Sequence, residues 1–191
     1  MGTTKPGERK LQILQTLAGM LEQPKGEKIT TAALAAKLDV SEAALYRHFA
    51  SKAQMFEGLI DFIESSVFGL INQITEQQEN GLAQVQATGR MLLDFAERNP
   101  GMTRVMIGDA LVNEDDRLQT RMNQFIERIE LAFKQSLRTA VTQGQANEAE
   151  VGMRANLITG LVIGRWHRFA KTGFKQKPSE NAQAQISLLL L

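Results

Sequence analysis

Residues 30–52, TTAALAAKLDVSEAALYRHFASK, bring hydroxyls, a phenol, an imidazole and three cations together within 23 positions. Hydroxyls and a positive side chain suit phosphate oxygens. Ala43 or Ala44 can touch a thymine methyl, Glu42 can accept from a cytosine amine, and Lys52 adds a phosphate contact. The outward set is Thr31, Ser41, Glu42, Ala43, Ala44, Tyr46, Arg47 and His48, which holds little apolar bulk to bury. That is the chemistry of a surface for double-stranded DNA. A connector of two short helices with Tyr46 and His48 half-buried would read the same way by spacing alone.

Catalytic chemistry has little to stand on. The chain lacks cysteine, which removes disulfides, thiolate metal sites and thiol nucleophiles, and its two histidines, His48 and His167, cannot build a histidine-rich metal centre. No G-x-S-x-G, H-E-x-x-H or phosphate-binding glycine loop occurs. Asp115 and Asp116 are adjacent and so diverge from a helix. The expectation is a protein that is not an enzyme, with no cofactor and no metal.

The elements that must position the hydroxyl-rich set follow from caps and spacing. Thr30 or Thr31 caps a helix reaching Lys37, Ser41 caps a very short one over residues 42–47, and Ser51 opens a long helix ending near Gln77. Three residues separate the first two, the helix-turn-helix arrangement. Ala33, Ala35 and Ala36 permit close approach, and Leu34, Leu38, Val40, Leu45 and Phe49 have the spacing to fill a shared core. Asp39 falls in the turn, where it tolerates a left-handed backbone. Before this pair, residues 8–21 repeat Leu11, Leu14, Leu17, Ala18 and Leu21 at helical spacing, and Pro24-Lys25-Gly26 breaks the chain.

Beyond residue 52 every periodic segment is again helical. Helices are expected from Gly81 to Arg98, from Pro100 onward with Asn99 as its cap, over about 114–141, over about 148–171, and in a short apolar segment after Pro178-Ser179. The fold class is all-α. An N-terminal three-helix DNA-binding domain, residues 1–52, precedes a larger helical regulatory and dimerisation domain, residues 53–191. Residues 1–56 carry eight Lys/Arg against five Asp/Glu and the remainder fourteen against sixteen, a small asymmetry that suggests an anionic partner at the N-terminal end. No apolar run is long enough to span a bilayer and the first ten residues lack a secretory core, so the expectation is a cytoplasmic protein without a membrane partner.

The run from residue 30 to residue 60 resembles the DNA-binding domain of TetR-type regulators, most specifically in VSEAALYRHFASK. Asp39 stands where that family usually has glycine and Ala50 where it usually has proline. The resemblance implies phosphate contacts from Tyr46, His48 and Lys52, with Thr31 and Ser41 at helix starts facing the backbone. Glu42, Ala43 and Arg47 are the candidates for base contact. It also implies a homodimer whose two reading helices enter successive major grooves ~34–36 Å apart.

A narrower group within the family, the nucleoid occlusion factors, is resembled through most of the chain. SEAALYRHFASKAQMFEGLIDFIESS, FAERNPGMTRVM and DRLQTRMNQFIERIE carry that likeness. It implies a nucleoid-associated protein that, bound to dispersed chromosomal sites, antagonises assembly of the tubulin-like division protein FtsZ by gripping its C-terminal tail. The matching positions are Phe62, Ser65, Ser66 and Gly69 on one helix, with Met91, Phe95, Arg98 and Asn99 on the next. Each also has an ordinary structural role open to it: Asn99 as a cap, Met91 and Phe95 as core.

The last long helix supplies the expected dimer surface. Leu157, Ile158, Leu161, Val162, Arg165 and Phe169 read as one stripe, with Gly160 and Gly164 thinning the helix and Trp166 and His167 at its edge. Loading of more than one dimer per DNA site is left open. The competing expectation is a ligand-responsive TetR-type repressor with a pocket lined by Phe62, Met91, Met106, Phe125 and Ile129.

Overall fold

The computed structural model describes residues 6–23 and 29–191. The predicted break at Pro24-Lys25-Gly26 lies outside the described residues. In chain order the helices are α1 (Pro6–Leu21), α2 (Thr31–Lys37), α3 (Glu42–Tyr46), α4 (Lys52–Gln77) and α5 (Gly81–Arg98). They continue with α6 (Pro100–Met106), α7 (Asp116–Thr142), α8 (Val151–Lys171) and α9 (Ala182–Leu188). Single 3-10 turns cover Asp109–Leu111 and Glu148–Glu150. No strand occurs among the described residues.

The N-terminal helices close around one apolar face. Ile13, Leu17 and Leu21 of α1 are buried with Leu34, Leu45 and Phe49. Leu38 and Val40 pack against the same cluster. Leu11, expected inside, is exposed instead. The inward face of α1 is centred on Ile13, and Leu11 lies about 200° away at 100° per residue.

α4 belongs to both halves of the molecule. Met55 and Phe56 sit at the headpiece end of its buried stripe, and Ile63, Val67 and Ile71 carry that stripe into the body. There α5 packs on α4, α7, α8 and α9, and α7 lies along α8. Trp166 of α8 is fully buried, and its indole N–H donates to the Leu92 carbonyl of α5 at 3.1 Å. Trp166 is thus a core residue, not one at the edge of a surface.

Two close approaches lock the body. A Cβ at Gly101 would lie 2.0 Å from the Ala18 carbonyl oxygen, so α6 begins in backbone contact with α1. A Cβ at Gly81 would lie 2.2 Å from the Ala140 nitrogen, which seats the start of α5 on the end of α7. Arg104 strengthens the first junction: its Nη1 donates to the carbonyls of Leu21 and Gln23, both at 3.3 Å, while its Nε donates to Asp109 at 2.9 Å.

Asn99 departs from its expected role. Its Nδ2 donates back to the Phe95 carbonyl at 2.7 Å, so the side chain closes α5 and leaves Pro100 to start α6 without a side-chain cap.

Candidate nucleic-acid interface

Three caps build the interface locally. The amide of Ala33 donates to Thr30 Oγ1 at 3.1 Å, that of Ala44 to Ser41 Oγ at 3.2 Å, and that of Gln54 to Ser51 Oγ at 3.1 Å. Each satisfies an amide that the helix geometry leaves unpaired. Asp39 adopts φ 53° in the turn between α2 and α3, the left-handed conformation expected there. The Val40 amide then donates to the Ala35 carbonyl at 3.1 Å and closes the turn.

With Leu45 turned inward, α3 presents Ser41, Glu42, Ala43, Tyr46 and Arg47 to solvent, and Ala44 and His48 are half-buried. Arg47 makes no hydrogen bond or ion pair among the described residues, so its guanidinium is available to an anion. Besides the capping Ser41, four of the predicted contact residues, Thr31, Glu42, Tyr46 and Lys52, are engaged within the chain. Thr31 Oγ1 donates to Glu42 Oε2 at 2.6 Å, and Tyr46 Oη donates to Thr31 Oγ1 at 3.4 Å. The Lys52 ammonium is ion-paired with Glu114, a residue 62 positions away in the loop before α7. It also lies 5.6 Å from the centre of the Phe56 ring. Lys52 is therefore a partnered cation, not the free one that its position in the first turn of α4 implied.

α4 is braced by α7 through charge. Arg117 pairs with Glu57 at 3.1 Å, and Arg121 donates to Glu64 at 2.8 Å and to Asp61. The hydrogen bond to Glu64 holds the Arg121 guanidinium more firmly protonated than an ordinary arginine. Arg128 stacks over Phe68 with its guanidinium carbon 3.8 Å from the ring centre. The helix that carries the headpiece is thereby fixed against the helix beside α8.

Behind the headpiece, Phe62, Ser65, Ser66 and Gly69 share one face of α4. Phe62 is 41% exposed, and no atom lies within 4 Å of a Cβ built at Gly69. On α5, Met91 and Phe95 pack partly into the core, while Arg98 is exposed and makes no hydrogen bond or ion pair among the described residues. Asn99 is occupied as the cap of α5.

The stripe read on α8 divides. Leu157 is 48% exposed and Leu161 half-buried, and Cβ atoms at Gly160 and Gly164 would meet open space. Met153 extends this strip with 59% exposure, and Leu131 of α7 is also exposed. Ile158, Val162 and Phe169 face inward instead, Phe169 at 3% exposure with its ring 5.1 Å from that of Phe174. Arg165 is spent on the C-terminal segment, donating to the Pro178 carbonyl at 3.0 Å and to Gln185 at 2.9 Å. Phe169 and Arg165 thus leave the outward strip. The reading joined two neighbouring faces of one helix, since residues one apart differ by only 100°.

A capped helix pair at the N-terminus of an all-helical body, joined to it by one long shared helix, defines a TetR-type DNA-binding regulator. Residues 26–59 match the model for bacterial regulatory proteins of the tetR family, and residues 79–191 match the SlmA-like C-terminal domain of tetracyclin repressor-like proteins. The chain is 48% identical over 191 residues to the nucleoid occlusion factor SlmA of Aliivibrio fischeri (strain MJ11), covering 99% of this chain and 97% of that one. It is 49% identical over 182 residues to SlmA of Idiomarina loihiensis, covering 95% and 93%. The chain belongs to the SlmA family of nucleoid occlusion factors.

Solved structures agree on the fold. A TetR regulator from Haloarcula marismortui superposes with a TM-score of 0.80 at 15% identity, covering 96% of this chain and 97% of that one. The TetR-family regulator PfmR from Thermus thermophilus gives 0.77 at 20% identity, covering 94% and 97%. The class is one of DNA-binding, dimerising regulators and not an enzyme class. No helix among the described residues is long and apolar enough to cross a membrane.

Proposed function

We propose that a homodimer of this chain binds duplex DNA through α2 and α3 over the nucleoid and, while bound, antagonises FtsZ assembly by holding the FtsZ C-terminal tail against α4 and α5. Residues 1–52 serve as the DNA-binding domain and residues 53–191 as the regulatory and dimerisation domain. Ser41, Glu42, Ala43, Tyr46, Arg47 and His48 meet the duplex, Thr31 supports them, and Lys52 reaches a phosphate by leaving Glu114. Phe62, Ser65, Ser66, Gly69, Met91 and Phe95 line the partner surface, with Arg98 supplying a fork of donors for a carboxylate or main-chain oxygens. Asn99 supports that surface by closing α5. Leu157, Leu161 and Gly164, joined by Met153, form the contact between subunits. The protein acts as a binding module without catalysis.

The observation that carries the reading is the outward face of α3. Its exposed positions are polar or small, with the Tyr46 ring as the one large group, it is held by the Ser41 cap beside an α2 capped by Thr30, and it stands in a chain nearly half identical to SlmA factors. A face with so little apolar bulk to bury suits a wet, charged partner.

The ligand-responsive alternative draws no support from the packing. Met106, Phe125 and Ile129 are fully packed in the core, whereas Phe62 lies on the surface. Thermal denaturation separates the two readings, because a ligand that binds the folded state raises its melting temperature. A duplex and an FtsZ-tail peptide should each raise it. A rise with small molecules and with neither macromolecule would overturn the proposal.

A further inference from the structure

Glu42 and Thr31 belong to different helices, yet the Thr31 hydroxyl donates to Glu42 Oε2 at 2.6 Å. A threonine hydroxyl has one proton. While that proton serves the carboxylate, none remains for a phosphate oxygen, so Thr31 acts through Glu42. Tyr46 Oη donates to the same Thr31 oxygen at 3.4 Å and closes a three-residue chain that fixes where the carboxylate stands. Glu42 Oε1 has no hydrogen-bond partner among the described residues. Its neighbours at this end of α3 are Ser41, whose hydroxyl oxygen accepts from the Ala44 amide, and the methyl groups of Ala43 and Ala44. Glu42 therefore holds the free acceptor at the start of the exposed face.

An ionised carboxylate accepts and cannot donate. In the major groove only cytosine N4 and adenine N6 offer it a proton, whereas guanine presents N7 and O6 and thymine O4, all acceptors. Its charge also opposes that of every phosphate it approaches. Resting on the reading of α3 as the helix that meets DNA, we propose that Glu42 is the specificity-determining residue: it selects a base amine at one position of each half-site and rejects other sequences, and Thr31 is its positioning residue. The arrangement sacrifices general affinity for discrimination, which gives it a signature that a phosphate-contacting side chain lacks.

The experiment is selection from a random-sequence duplex pool, followed by titration of single-position variants of the selected site and of an unrelated duplex. It uses the full chain and its Glu42→Ala, Glu42→Gln, Thr31→Val and Thr31→Ser variants. The unaltered chain should enrich cytosine or adenine at one position per half-site, preferred by roughly tenfold or more. Glu42→Ala should reduce that preference to within about twofold and bind the unrelated duplex more tightly, by a few-fold or more. Glu42→Gln gains a donor and should admit guanine at the same position. Thr31→Val should weaken discrimination at that position alone and have no further effect in the Glu42→Ala background, and Thr31→Ser should restore it.

Retention of the full preference by Glu42→Ala, or weaker binding of that variant to the unrelated duplex, would overturn the assignment of Glu42 while leaving α3 as the DNA-contacting helix. Equal losses on all sequences from Thr31→Val would return Thr31 to a phosphate role and overturn its positioning role. Failure of the unaltered chain to bind any duplex would remove both this inference and the reading beneath it.

Discussion

Replacing Glu114 with glutamine should tighten DNA binding, although Glu114 itself touches no DNA in this account. The Lys52 ammonium is ion-paired with Glu114, and the two side chains are 21% and 12% exposed. A pair of that exposure lies between the surface case, worth about 0–1 kcal/mol, and the buried case, where removal of one partner costs about 3–5 kcal/mol. Taking ~1 kcal/mol as the cost of releasing Lys52 to a phosphate, a dimer that releases two forgoes ~2 kcal/mol. At 1.4 kcal/mol per tenfold this is roughly 25-fold in affinity. Glu114→Gln keeps the side-chain size and removes the charge that competes. The assay is fluorescence anisotropy of an unrelated duplex across a salt series, with Lys52→Ala as the companion variant. Lys52→Ala should weaken binding to all sequences and lower the salt slope by about 0.9 per subunit. Glu114→Gln should have no benefit in the Lys52→Ala background. If a folded Glu114→Gln binds no tighter than the unaltered chain, the pair positions Lys52 instead of withholding it, and the competition argument fails.

Other expectations bear on the partner face, the junction, the subunit contact and acid stability. Arg98→Asp should leave duplex affinity within about twofold and abolish inhibition of FtsZ polymer in sedimentation, because Arg98 is an exposed cation with no partner among the described residues; full retained inhibition would remove it from the partner surface. Gly101→Ala should cost about 2–3 kcal/mol or more in chemical denaturation, since its Cβ would lie 2.0 Å from a backbone oxygen that cannot rotate away. Leu157→Glu should shift sedimentation equilibrium toward monomer and weaken DNA binding with it, whereas an unchanged dimer would place the contact elsewhere. Glu97 has its carboxyl held below the usual 4.5 by the Ser179 hydroxyl and by Lys177, against a smaller opposing effect of burial. A depressed carboxylate contributes stability above its unfolded value that is lost as pH falls through its folded value. Melting temperature should therefore decline below about pH 4.5, and less steeply in Glu97→Gln; an identical acid limb would show that the carboxylate contributes nothing.

What could be read before the structure was what neighbours along the chain decide. Thr30, Ser41 and Ser51 each reach an amide three residues on, so the cap is written in the local sequence. Asp39 likewise announced its backbone by its place in a three-residue turn. The failures come from two sources. One is angular: Phe169 and Leu157 are both apolar on one helix, and only the placement of α5, α6 and α7 around it decides which of them points inward. Leu11 failed for the same reason. The other is distance along the chain. Lys52 and Glu114 are 62 residues apart and meet only after α7 packs on α4, and Arg104 finds Leu21 and Gln23 from more than eighty residues away. Asn99 erred differently, since asparagine before proline can cap forward or close backward, and here the free carbonyl of Phe95 wins. The Gly101 of ERNPG gains a physical reason from the same packing: it is where the body touches the backbone of α1.

FtsZ sedimentation at fixed concentrations of both proteins, with and without a duplex selected by this chain, tests most directly the claim that one dimer couples DNA to the division machinery. Adding the duplex should cut the pelleted FtsZ well below the level seen with protein alone, and Arg47→Ala should lose that effect along with duplex affinity. Equal pelleting with and without the duplex, at concentrations where anisotropy shows the duplex saturated, would contradict the account.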